Sequence, residues 1–94
     1  MSEIEKYYNA KSEYYKLYNV DDILERIFME WLHCVGDIED YPFWDSRGIN
    51  YNEKYLEYDS PIEFICDMAH SASLEYMLSH GGIITSKCIE KLLI

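Results

Sequence analysis

Ninety-four residues with 18 acids against 8 bases give a formal charge of −10, which disfavours direct binding to nucleic-acid phosphate or an anionic membrane. The length predicts a single domain, 1–94, and a 49% apolar content with ten tyrosines argues for a folded chain rather than a disordered one. No apolar run nears the ~18 residues that span a bilayer, no secretory signal is expected from the opening residues Met-Ser-Glu-Ile-Glu-Lys, and three spaced cysteines suit free thiols in a reducing cytosol, bacterial or phage-infected.

Residues 3–18 predict a first helix. Ile4, Tyr8, Tyr15 and Tyr18 recur near helical spacing, with Tyr7, Tyr14 and Leu17 widening the stripe. Tyrosine hydroxyls seek water or a partner, so this helix is expected at an edge, its Glu and Lys residues laced by local ion pairs. The second helix carries Val20, Ile23, Leu24, Ile27, Phe28, Trp31, Leu32 and Val35 on an unbroken i, i+3, i+4, i+7 pattern. Asn19 or Asp21 is expected to cap it, and Gly36 to end it in a left-handed conformation.

Residues 37–59 break the periodicity. Tyr41-Pro42, Asp45-Ser46-Arg47-Gly48 and the asparagines Asn50 and Asn52 are turn signals, and the pattern leaves a strand, a short β-hairpin or a helical turn open here. Ser60-Pro61-Ile62-Glu63 then starts a third helix with an N-cap, Pro at N1 and a capping-box Glu. It is expected to run to about His80, burying Ile62, Ile65, Ala69, Ala72 and Tyr76, and to end at Gly81-Gly82. A short helix over 86–93 presents Cys88, Ile89, Leu92 and Leu93 to close the bundle. The predicted fold is therefore mainly α: three principal helices, a short C-terminal one and a structured 37–59 connection.

Recognised chemistry is sparse. Cys66 and His70 share a helical face, and His33-Cys34 could add ligands, but no Cys-x-x-Cys or His-x-x-x-His pair supports zinc. Asp37, Glu39, Asp40 and Asp45 lack the order of a calcium loop. There is no phosphate loop or nucleophile elbow, so no enzyme, cofactor or metal is assigned. The helix–Gly81-Gly82–helix outline resembles a helix-turn-helix, yet its last helix is too neutral and apolar to read DNA.

The acid is the remaining signal. Residues 21–67 hold thirteen acids against Arg26, Arg47 and Lys54, while 1–20 and 68–94 are balanced. Asp21, Asp22, Asp59 and Glu63 fall at helix starts, where the dipole favours them. Between 37 and 58 stand Asp37, Glu39, Asp40, Asp45, Glu53 and Glu57 among Tyr41, Phe43, Trp44, Tyr51, Tyr55 and Tyr58. Aromatics anchor interfaces and carboxylates steer basic partners; the plain alternative is a solvated surface with its aromatics turned inward. Asp59, Glu63 and Asp67, about 6 Å apart if helical, could form a phosphate-like row.

The expected function is a non-catalytic binding protein. It would inhibit a basic, nucleic-acid-binding enzyme or effector, in the manner of anti-CRISPR, anti-restriction or DNA-mimic proteins, through Asp37, Glu39, Asp40, Trp44, Asp45, Glu53 and Glu57. The alternative is an oligomerising adaptor, a homodimer among its forms, that uses the tyrosine-rich first helix through residues such as Tyr8 and Tyr15.

Overall fold

The computed structural model describes residues 2–34 and 36–93 and is mainly helical, with no strand among them. The helices are α1 (Glu3–Leu17), α2 (Ile23–His33), α3 (Tyr41–Ser46), α4 (Pro61–Met68), α5 (Ser71–Ser79) and α6 (Ser86–Leu92), with a 3-10 turn at Ile38–Asp40 before α3. None is long and apolar enough to cross a membrane. The chain forms two compact units, Met1–Ile49 and Asn50–Ile94.

In the first unit, α1 starts at Ser2, whose hydroxyl accepts from the Glu5 amide. Its inward side carries Ile4 and Ser12, both buried, and α1 packs on α2. On α2, Ile27, Phe28, Trp31 and Leu32 are buried as the apolar stripe requires, and Met29 joins them, so more of this helix is covered than one stripe. Val35 lies outside the described residues. Two expectations at the helix ends fail. Asp22 is the N-cap, in a left-handed conformation at φ 54° and without a side-chain capping bond. At the other end the C-cap is Cys34, ahead of Gly36; a Cβ at Gly36 would sit 1.9 Å from the Trp31 indole, so its lack of a side chain makes room for the ring.

No hairpin forms over 37–59. Pro42 stands in the first turn of α3, where its missing N–H costs nothing, and so opens a helix instead of a turn. The i, i+3 pair Tyr41 and Trp44 is fully buried. Their rings meet Trp31 at centroid distances of 5.0 and 5.5 Å, and Phe28 meets Trp44 at 5.3 Å. Edge-on and tilted aromatic contacts of this kind add to the area buried.

In the second unit, Ser60 opens α4 as expected: its hydroxyl accepts from the Glu63 amide and donates to the Glu63 carboxylate at 2.8 Å. The expected single helix from 61 to about 80 is broken in two. Ala69 turns left-handed at φ 54°, and His70 caps α5 by accepting the Ser73 amide on Nδ1. Ala69 and Ala72 are exposed rather than buried. Gly81 ends the region with φ 94°. Tyr51, Tyr55, Ile62, Ile65, Cys66, Met77 and Cys88 are buried. Asn52 ties the loops together, donating to the Gly81 carbonyl at 2.9 Å and accepting the Ile83 amide at 2.8 Å. Of the residues expected to close the bundle from α6, Cys88 alone is buried; Ile89, Leu92 and Leu93 are exposed.

Candidate partner-binding surface

The chain over 37–58 sorts its aromatics from its acids. Tyr41, Trp44, Tyr51 and Tyr55 are buried, and Phe43 and Tyr58 are half-buried. Asp37, Glu39, Glu53 and Glu57 are exposed, with Asp40 and Asp45 half-buried. Trp44 therefore leaves the candidate surface: at 0% exposure its side chain is core. Asp37, Glu39, Asp40 and Asp45 belong to the first unit, and Glu53 and Glu57 to the second.

Three carboxylates are brought together by the 3-10 turn. Asp37 caps it, accepting the Glu39 amide at 3.1 Å, and the Asp40 amide bonds the Asp37 carbonyl at 3.0 Å. Burial, followed by repulsion from Asp37 and Glu39, holds the Asp40 carboxyl above the usual carboxylate range. Among the described residues the ion pairs are Lys6–Glu3, Lys11–Glu30 and Lys91–Asp59, none of which reaches this cluster. Charge gathered against its own repulsion is available to an outside cation. Glu53 and Glu57 lie in the turns around Leu56, itself left-handed at φ 55°.

The phosphate-like row does not form. Asp59 precedes α4 and is bound by Lys91 at 3.1 Å, and Glu63 is held by Ser60. Nor do Cys66 and His70 converge as ligands. His70 Nδ1 faces Ser73 Oγ at 2.6 Å, while burial and then a hydrogen bond with Cys88 push the Cys66 thiol up to about 12. Among the described residues no group of three or more His, Cys, Asp or Glu is placed to hold a metal.

Sequence reasoning missed a second polar feature. Glu30 on α2 accepts from Tyr15 Oη and from Lys11 Nζ, the latter at 2.9 Å. Burial pushes Glu30 up, but the Tyr15 and Lys11 hydrogen bonds and the Lys11 and Arg26 charges outweigh it, leaving the carboxyl below its ordinary range. Tyr15 is pushed up to about 12 by burial and by the bond to Glu30. Beside this network is a hollow of about 460 Å³ lined by Ala10, Lys11, Tyr14 and Tyr15. The signal was present in the sequence: Glu30 is an acid set between Met29 and Trp31 in an apolar run.

Comparison with known proteins returns no relative: no family model matches the chain, and no curated protein or solved structure matches it.

Proposed function

We propose that this is a non-catalytic binding protein that captures a basic, nucleic-acid-binding protein through its carboxylate surface and so inhibits it, in the anti-CRISPR, anti-restriction or DNA-mimic manner, inside a bacterial or phage-infected cell. The observation that carries the reading is the trio Asp37, Glu39 and Asp40 on the first unit, which has no ion-pair partner among the described residues. With Trp44 and Tyr41 committed to the core, attraction on this surface is electrostatic, which favours fast encounter and strong salt dependence. Asp45 adds to the field of the first unit, while Glu53 and Glu57 belong to the second unit and contribute to the field there.

The test is affinity capture from host lysate by immobilised wild-type chain and by the triple variant Asp37→Asn, Glu39→Gln, Asp40→Asn. Wild type should retain a basic nucleic-acid-binding protein that elutes with salt, and the variant should retain at least about tenfold less, a loss of about 1.4 kcal/mol. Equal retention of the same protein by both, or retention indifferent to salt, would contradict the reading.

A further inference from the structure

Helix α1 has two apolar faces, and packing within the first unit uses one. Ile4 is buried, Tyr8 meets Phe43 and Trp44 at ring centroids of 5.7 and 6.0 Å, and Tyr15 is bonded to Glu30. Tyr8 and Tyr15, expected as interface residues, are thus engaged with the unit's own side chains. On the other side Ala10, Tyr14, Leu17 and Tyr18 follow the i, i+4, i+7, i+8 spacing of a helical stripe. They are exposed: Tyr14 by 56%, Leu17 by 79% and Tyr18 by 66%. The hollow of about 460 Å³ opens beside Ala10, where the stripe carries its smallest side chain. The cation at its edge, Lys11, is already neutralised by Glu30.

Charge decides what can cover this face. Residues 1–20 hold three acids and three bases, whereas the entire net charge of −10 arises between 21 and 67. A basic partner gains no attraction from α1, while a second acidic chain can approach there without local repulsion. We propose that the outward face of α1 is a self-association surface, covered by α1 of a second copy lying antiparallel to it. Ala10 and Tyr18 stand four residues, about 6 Å, to either side of Tyr14. A two-fold axis at Tyr14 then lays each Tyr18 ring opposite the second copy's Ala10, large against small, in the self-complementary contact that such symmetry requires. The area sets the strength. At these exposures Tyr14 and Tyr18 present roughly 250 Å² between them, and Leu17 adds to it, against about 800 Å² per partner in a standard stable interface. The dimer is weak and concentration-dependent.

Sedimentation velocity of the full chain from micromolar to millimolar concentration tests this. A reversible monomer–dimer equilibrium is expected, tightening with added salt as repulsion between two chains of −10 is screened. Leu17→Glu and Tyr18→Glu should each weaken it at least about tenfold; both side chains are exposed, so circular dichroism should stay unchanged. Leu93→Glu, at an exposed apolar position after α6, should leave the dimer intact. A monomer at every concentration, a dimer indifferent to both α1 variants, or one lost through Leu93→Glu overturns the assignment. The contact uses none of Asp37, Glu39 or Asp40, so self-association and partner capture fail separately.

Discussion

Replacing Glu30 by alanine removes the acceptor of the Tyr15 hydroxyl and the partner of Lys11 in one step. A hydrogen bond to a charged group contributes about 1.5–3 kcal/mol. The Lys11 contact deserves less, because that side chain is 37% exposed and its solvent-screened pairing is worth under ~1 kcal/mol. The expected loss is about 2 kcal/mol, or roughly 8–16 °C in Tm for a chain of this size. Glu30→Gln keeps an acceptor for Tyr15 and should lose about half as much. Urea unfolding followed by tryptophan fluorescence is the appropriate assay, since Trp31 and Trp44 both lie in the first unit with Glu30. The pH dependence gives a second check. Folded Glu30 titrates below its ordinary range, so its stabilisation is fully present at neutral pH and is lost as pH falls through that depressed range. The difference between wild type and Glu30→Ala should shrink in acid accordingly. A loss under ~0.5 kcal/mol at neutral pH, or one that does not change with pH, would refute the network's role.

Other substitutions probe the same unit. Gly36→Ala places a methyl 1.9 Å from the Trp31 indole and should destabilise by about 1–3 kcal/mol, read from the urea midpoint; a neutral result would mean that Trp31 moves freely. Asp40→Asn should stabilise at neutral pH: the folded carboxyl lies above its ordinary range, so native stability falls as pH rises through that range, and the gain should disappear in acid. Trp44→Ala should cost about 3–5 kcal/mol as a core truncation. Trp44→Phe should cost less, because the indole Nε1 is buried without a hydrogen-bond partner, and it should leave salt-sensitive partner capture unchanged. Capture lost with Trp44→Phe while the fold persists would return Trp44 to the binding surface.

The helical class and the strongest starts were readable because local chemistry agreed with the final packing. The α2 stripe from Ile23 to Leu32 and the Ser60-Pro61-Glu63 start needed no tertiary information. The break at Ala69 did. Alanine is the best helix former, and its left-handed conformation together with the His70 cap on Ser73 belongs to the assembled unit rather than to the residue. Over 37–46 the local pattern is ambiguous. Tyr41-Pro42 fits a turn or a first helical turn, and the i, i+3 spacing of Tyr41 and Trp44 favours the helix that forms. The candidate surface was half legible. Carboxylate positions follow from composition, but which way each interleaved aromatic turns depends on the ring cluster around Trp31. On α1 the spacing shows the tyrosine stripe as a whole, while its division into Tyr8 and Tyr15 on one side and Tyr14 and Tyr18 on the other depends on where α2 lies.

The proposed function requires that carboxylates on this chain occupy the site a basic partner uses for nucleic acid. The most direct measurement is competition: the captured partner is bound to its labelled nucleic acid and titrated with wild-type chain and with the Asp37→Asn, Glu39→Gln, Asp40→Asn variant at low and raised salt. Wild type should displace the nucleic acid, raised salt should weaken the displacement, and the variant should need at least about tenfold more protein. A ternary complex in which partner, nucleic acid and chain coexist, or equal displacement by the variant, would contradict it.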